Sequence, residues 1–491
     1  MMGRGCWPLT VEPVIFLTFF STTLVDVITQ KYIYTTLTHK ADTSEEGFCE
    51  KLNCYNSSDL EHVGRGILCS SSTDYWLLFI NLASLLLAIP STIIFGTWSE
   101  TEGRKIVLVA SLLGIALRVA LVFIIIHFQE PLYFFVIVSL MTSALGYSTS
   151  LMSSCMAYVA DITSRGQRTF RILFLDSAAG IGIGLAYFVC GFYLERIWFY
   201  HLLWLGIAAC ITNIIYIVFY LEESLLLPGF YGSSTIFSCQ DFLEICRVFT
   251  HEPGNGRRWR LLTYVASFVV AGIIFIGTNS LLILHAQTSL CFSMVLTGYL
   301  GGALCLRYIS SLVSVKLFQS VLKASNNWII EAGLVSLFAG LILASLNTSA
   351  RLTFNVPALQ LLGVLPQSVM KATLSKLVEP QEQGILFAIL ACLESASNVF
   401  GVFVFRRLYD IMPLSRLSFV IGALLLIVPV VLVGFVQKNE SPTTEILLFS
   451  NERSSESDFG RQCTISSRAN HFPVLNSVDL NGYDYIPSGE M

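Results

Sequence analysis

The chain has 491 residues, of which 54% are hydrophobic and only 13% charged, and its mean hydropathy is +0.69. A soluble domain carries about a quarter charged residues, so the composition excludes a soluble globular protein and describes a polytopic membrane protein with lipid as its solvent. A formal net charge of −4 without a basic stripe leaves nothing to suggest a nucleic-acid partner.

A membrane span needs roughly 20 apolar residues, and about twelve such segments follow one another by hydropathy. They fall near residues 11–32, 75–95, 106–128, 132–160, 172–194, 198–220, 261–284, 294–317, 328–346, 352–370, 384–405 and 417–435. The first is longer than a signal-peptide core and has no small-residue cleavage site before residues 42–50, so it reads as a retained span. Residues 222–260 break the series into six and six. The expected organisation is an N-terminal six-helix half (1–221), a cytoplasmic central loop (222–260), a C-terminal half (261–437) and a disordered, polar, Ser-rich cytoplasmic tail (438–491). The expected fold is therefore an all-α membrane protein of two pseudo-symmetric halves. After span 4 comes Asp161 to Gly166, and after span 10 comes Glu379 to Gly384. This repeated acid, spacer and glycine is a weak internal symmetry of the type duplicated transporters show.

Orientation follows from Lys and Arg. Loops holding Arg104, Lys105, Arg165, Arg168, Arg171, Arg247, Arg257, Arg258 and Arg260 fall on one side, which places both termini in the cytoplasm. Arg406, Arg407 and Arg416 run against that rule. The outer loop 33–74 is long and acidic and carries the glycosylation sequon Asn56-Ser57-Ser58. Cys49, Cys54, Cys69 and Cys291 fall on the outer side, where disulfides survive, and four cysteines allow three full pairings.

The stretch Gly96-Thr97-Trp98-Ser99-Glu100-Thr101-Glu102-Gly103-Arg104-Lys105 sits between spans 2 and 3. Gly96 and Gly103 permit close helix approach and unusual backbone angles, and a carboxylate there suits basic side chains or a helix N-terminus. Glu100 is expected near the start of span 11, around Gln383 and Gly384, as part of a cytoplasmic gate with Arg104, Lys105, Asp161 and Arg165. Ionisable groups inside spans are costly and face a cavity or a partner. Arg118, Arg307 and Glu394 fall near mid-membrane by residue counting, Asp176 and Lys371 nearer the cytoplasm, and Asp26 toward the outer third of span 1. One reading is a polar cavity that binds an organic anion through Arg118 or Arg307, with Asp176 or Glu394 carrying a proton. The other is a set of structural pairs, such as Arg118 or Arg307 with Glu394. No nucleotide-binding loop, metal cluster or catalytic triad is visible, so the chain reads as no enzyme, with no cofactor and an ion gradient as its energy source.

The loop at Gly96 resembles the Gly-x-x-x-Asp-x-x-Gly-Arg-Lys hinge of major facilitator superfamily transporters, with Glu100 in place of the aspartate. Beyond it, Trp98 to Lys105, Arg168-Thr169-Phe170-Arg171, Leu290-Cys291, Leu374-Ser375-Lys376-Leu377-Val378 and Glu382-Gln383-Gly384-Ile385-Leu386-Phe387-Ala388 resemble solute carrier family 46, the proton-coupled folate transporter and its relatives. Within the family the nearest resemblance is to the lysosomal member that carries steroid conjugates and bile acids. The resemblance implies a symporter of a small organic anion and a proton. It implies that Asp176 couples protons, that Lys371 stands where the family has an arginine serving protons and substrate, and that Cys291 pairs with Cys49, Cys54 or Cys69. Near the C-terminus, Gly482-Tyr483-Asp484-Tyr485-Ile486 is similar to tyrosine-based lysosomal sorting signals, which an adaptor of the clathrin coat binds as a short extended peptide through Tyr483 and Ile486. A plasma-membrane location and a non-transporting receptor or scaffold are the alternatives.

Overall fold

The computed structural model describes residues 10–43, 60–194, 199–224, 257–290, 292–347, 349–379, 382–411 and 416–439. Asn56, Cys49, Cys54, Cys291, Tyr483 and Ile486 lie outside them, and so does most of the central loop; Cys69 lies in a helix whose side chain there is not described. The glycosylation, disulfide and sorting expectations therefore fall outside the described residues.

Backbone amides in lipid must be satisfied within the segment, and the apolar runs are accordingly helical. Among the described residues, eleven helices are long and apolar enough to cross a membrane. They are span 1 (Glu12–Thr38), span 2 (Ser72–Glu100), span 3 (Arg104–Phe128), span 4 (Tyr133–Ile162), span 5 (Arg168–Tyr193) and span 6 (Tyr200–Phe219). In the second half they are span 7 (Arg257–Thr288), span 8 (Met294–Ser320), span 9 (Asn326–Ser345), span 11 (Gln383–Ile411) and span 12 (Leu417–Lys438).

The twelfth segment read from hydropathy, span 10, is two short helices, Ala350–Leu359 and Leu365–Leu377. Pro366 stands in the first turn of the second helix, where a missing N–H costs nothing. Gln360 stands outside helical geometry at the break. Span 4, its counterpart in a six-plus-six arrangement, is also interrupted, between Ser143 and Tyr147. There Gly146 has φ +85°, and a Cβ on it would fall 2.7 Å from the Phe95 ring, so only glycine fits. Tyr147 follows with φ +46°, a backbone region in which a bulky side chain is strained. Broken helices in matching positions of two halves are where duplicated carriers build their binding sites.

Two seams join the halves. In one, spans 5 and 8 touch through glycine: a Cβ on Gly191 would fall 2.6 Å from Gly298 Cα, and one on Gly301 the same distance from Tyr187 Cβ. In the other, spans 2 and 11 meet at Gly96, where an added Cβ would lie 2.8 Å from Ala388 Cβ. Small residues at these crossings let backbones pack closely in a medium without a hydrophobic drive.

Candidate transport site

Between the halves lies a cavity of about 1350 Å³. Its deep wall includes Asp26, Arg118, Tyr147, Asp176, Arg307, Lys371 and Glu394, and its mouth includes Lys31, Asp74, Arg406, Arg407 and Asp410. The residues at the opposite, Arg-rich end, Glu100, Asp161 and Arg168, do not line it. The cavity opens toward the end assigned as outer and is closed toward the other.

At its centre Lys371 of span 10 bridges two carboxylates. Its Nζ lies 3.0 Å from Asp176 Oδ1 of span 5 and 2.9 Å from Glu394 Oε2 of span 11. The Ser368 hydroxyl donates to Asp176 Oδ2 at 2.5 Å. Ser368 and Lys371 are three residues apart on one helix and so share a face, which is why both reach Asp176. Lys371 is 1% exposed and Asp176 9%, whereas Glu394 leaves 37% of its side chain toward the cavity. Glu394 is thus the carboxylate within reach of water, and Asp176 lies behind it.

Arg118 of span 3 donates to Asp26 Oδ1 at 2.9 Å and stacks its guanidinium over the Tyr147 ring, 4.7 Å from the centroid. Asp26 thus compensates Arg118, and among the described residues neither Arg118 nor Arg307 pairs with Glu394: the lysine takes that place. Arg307 is different. It is 2% exposed and donates to Asn279 Oδ1 at 2.8 Å, to Gln360 Oε1 at 2.9 Å and to Leu304 O, over the Phe275 ring at 5.0 Å. Among the described residues it has no carboxylate partner. Its acceptors are neutral amides, one of them Gln360 at the break in span 10.

The closed end is built around the hinge. A Cβ on Gly384 would fall 2.3 Å from Glu100 Oε1, and the backbone N–H groups of Gly384 and Ile385 face that carboxylate. Glu100 of one half thus sits at the N-terminus of span 11 in the other, where the helix dipole favours negative charge. Arg104 Nε donates to Asp161 Oδ2 at 3.0 Å and its Nη1 to Ser99 Oγ at 2.6 Å. Gly103, with φ +113°, leaves room for Glu223, whose carboxylate accepts the backbone N–H groups of Arg104 at 2.8 Å and Lys105 at 3.0 Å. The Lys105 ammonium reaches Val218 O.

Arg165 departs from the expected gate. It is exposed in the turn before span 5, so its charge stays in water. Three residues on, at the first position of the helix, Arg168 is turned inward. It donates to Ala160 O at 3.0 Å and, across the halves, to Ser375 O and Oγ at 3.2 Å. At the mouth, Arg406 pairs with Asp74 and Arg407 donates to Tyr75 Oη at 2.5 Å. These lateral partners on span 2 account for two outer arginines that break the positive-inside pattern. The sequence reading missed Arg168, Glu223, Ser368, Asn279 and Gln360 as site residues. Asn279 and Gln360 carried a usable signal, since amides inside apolar runs need partners.

A two-half helical bundle with a central cavity, broken helices and glycine seams is the architecture of a secondary transporter. Residues 13–402 match the Major Facilitator Superfamily, and the chain belongs to that family. Curated relatives are members of solute carrier family 46. The proton-coupled folate transporter of Rattus norvegicus is 29% identical over 433 residues, 87% of this chain and 92% of the relative. The lysosomal proton-coupled steroid conjugate and bile acid symporter of Gallus gallus is 26% identical over 437 residues, 86% and 92% of the two chains; that of Homo sapiens is 25% identical, covering 91% and 98%. Among solved structures, the human organic anion transporter MFSD10 aligns with a TM-score of 0.64 at 16% identity, over 86% of this chain and 97% of that one. A bacterial homologue of the iron transporter ferroportin in its outward-facing state aligns with a TM-score of 0.59 at 11% identity, over 88% and 100%. The chain is a multi-pass membrane transporter, and the curated relatives named above are proton-coupled carriers.

Proposed function

We propose that the protein is a proton-coupled symporter that moves anionic organic solutes, such as steroid conjugates and bile acids, from the lysosomal lumen to the cytosol by alternating access. The observation that carries this reading is Lys371 held between Asp176 and Glu394 in the wall of a cavity closed at its Arg-rich end. A proton entering from an acidic lumen meets Glu394 first. Neutralising one carboxylate releases one of the two ion pairs that tie spans 5, 10 and 11 together, and the lysine then leans on the other. Because spans 5 and 10 belong to different halves, that exchange changes the force between them. This is the physical requirement for a proton to bias a two-state carrier. Arg307, a buried cation satisfied only by neutral amides, is the anchor for the substrate anion. Arg118 contributes less, since Asp26 already compensates it.

The cytoplasmic gate is Glu100 on the N-terminus of span 11 and Arg168 on Ser375. Its opening releases solute and proton to the cytosol. The lysosomal address rests on Tyr483 and Ile486, recognised by a clathrin adaptor. Identities of 29% to the folate transporter and 26% to the steroid-conjugate symporter favour neither solute, so a plasma-membrane importer of folate type is the second reading. The test is uptake into cells expressing a surface-directed, tail-altered chain at acidic outer pH. Acid-stimulated uptake should collapse with a protonophore. In Asp176→Asn it should fall at least tenfold while counterflow exchange survives. Full acid-stimulated uptake in that variant removes Asp176 as the coupler. Tail-truncated protein that carries no flux in proteoliposomes would favour a scaffold.

A further inference from the structure

The charges of the deep cavity wall can be summed, and the sum sets a coupling ratio. The deep wall holds the cations Arg118, Arg307 and Lys371 and the carboxylates Asp26, Asp176 and Glu394. Lys31, Asp74, Arg406, Arg407 and Asp410 stand at the mouth, where Asp74 and Arg406 already cancel as an ion pair. The deep charges fall into three groups by contact. Arg118 with Asp26 is neutral. Lys371 with Asp176 and Glu394 is one charge negative. Arg307 is one charge positive, bound to the neutral acceptors Asn279 Oδ1, Gln360 Oε1 and Leu304 O. The empty wall is therefore neutral as a whole but split into a negative site and a positive site.

From this split we infer that the carrier takes one proton on the Asp176–Lys371–Glu394 group and one negative charge on Arg307 in each cycle, so that a monoanionic solute is carried electroneutrally. The inference rests on the symporter reading above. One proton makes the triad neutral, with Lys371 still paired to the remaining carboxylate. A second proton would leave Lys371 as an unpaired cation in a desolvated wall, which is strongly unfavourable. One anionic group likewise neutralises Arg307, and a second would find no free cation on the deep wall. The loaded carrier, with one proton and one anionic charge, is as neutral as the empty one. Both forms then cross between states without moving net charge through the membrane field, which acts on any uncompensated charge. A dianion would ride with a single proton and carry one net negative charge.

The experiment uses the full-length protein in proteoliposomes with the membrane potential clamped by potassium and valinomycin. The probes are a steroid monosulfate and a steroid disulfate, whose sulfate charges do not change over the working pH range. Static-head accumulation of the monosulfate should rise about tenfold per unit of imposed pH difference and should not respond to the clamped potential. The disulfate should follow the same slope but lose accumulation when the interior is made negative. Arg307→Lys should lower the monosulfate flux but leave what remains insensitive to the clamped potential, and Arg307→Gln should lose it. A hundredfold slope per pH unit, or a voltage response with the monosulfate, overturns the one-proton ledger and leaves the symporter reading intact. Absence of any pH-driven accumulation of either probe overturns both.

Discussion

Lys371 and Asp176 are joined across the two halves of the protein, Nζ to Oδ1 at 3.0 Å, with the ammonium 1% exposed. The bond ties broken span 10 to span 5 at the depth where Glu394 approaches from span 11. Removing the lysine leaves the buried Asp176 carboxylate without its cation and beside a second acid, Glu394. Breaking a buried pair by deleting one partner costs about 3–5 kcal/mol. Lys371→Met is therefore expected to lower the melting temperature in detergent and to abolish proton-driven uptake. Lys371→Arg should retain stability and part of the uptake, because a guanidinium can hold both acids. Wild-type stability in Lys371→Met would show that the bridge carries no structural load.

Glu100 and Gly384 make a second cross-half contact, at the closed end. The glycine is required there: an added Cβ would lie 2.3 Å from Glu100 Oε1 and 2.7 Å from Arg104 Nη1. Gly384→Ala should push the gate apart, and Glu100→Gln should weaken it by removing the charge that the helix N-terminus favours, an effect of about 0.3–2 kcal/mol. Both variants are expected to raise labelling of a cysteine placed in the gate from the cytoplasmic side and to slow transport several-fold. Substrate preference should not change, since neither residue lines the cavity. An altered substrate ranking in Glu100→Gln would argue against a latch.

How far the sequence carried this picture depends on the range over which its signals act. Hydropathy is local, and it located the eleven long apolar spans. It also ran through span 10 without seeing the break, because Gln360 and Pro366 sit among leucines and valines that keep the window apolar. The mid-membrane charges were legible one by one, since each is an outlier in its own run. Their partners were not. Asp26 and Arg118 are 92 residues apart, Asp176 and Lys371 are 195 apart, and nothing in one sequence states which acid meets which base. Arg165 and Arg168 show a third limit. Both are basic residues of one loop, and only the start of the helix at Arg168 decides which one turns inward.

That difference is itself testable. Arg168 donates to Ala160, Thr163 and Ser375 and is buried, whereas Arg165 is exposed. Arg168→Ala leaves backbone carbonyls of both halves without a donor, each unsatisfied group costing about 1–3 kcal/mol. It should reduce transport at least tenfold. Arg165→Ala should stay within about 0.5 kcal/mol of wild-type stability, as surface substitutions do, and keep its transport rate. Equal losses in the two variants would place the gate's cation in the turn instead.

Glu223 offers a control of a different type. Its carboxylate caps the first two N–H groups of span 3 from the chain just beyond span 6, so it supports the hinge without bridging the gate. Glu223→Ala should cost about 1 kcal/mol, the usual value of a lost cap, and lower thermal stability with little change in gating.

The seam between spans 2 and 11 gives the last prediction. It is closed at both ends in a molecule whose cavity is open to the outside: Asp74 meets Arg406 at the mouth, and Glu100 meets Gly384 at the far end. The mouth is framed on its other sides by Lys31 and Tyr34 of span 1 and Gln287 and Thr288 of span 7, so the aperture does not depend on parting Asp74 from Arg406. Switching to the inward-open state must part Glu100 from Gly384 but can leave the outer contact as a pivot. A disulfide between Asp74→Cys and Arg406→Cys should therefore leave at least half of the transport rate. One between Glu100→Cys and Gly384→Cys should stop transport until a reductant is added. The measurement is uptake before and after oxidation in each double variant. Inhibition by the outer cross-link as strong as by the inner one would mean that the whole seam opens in each cycle, and the pivot would have to be sought along spans 5 and 8.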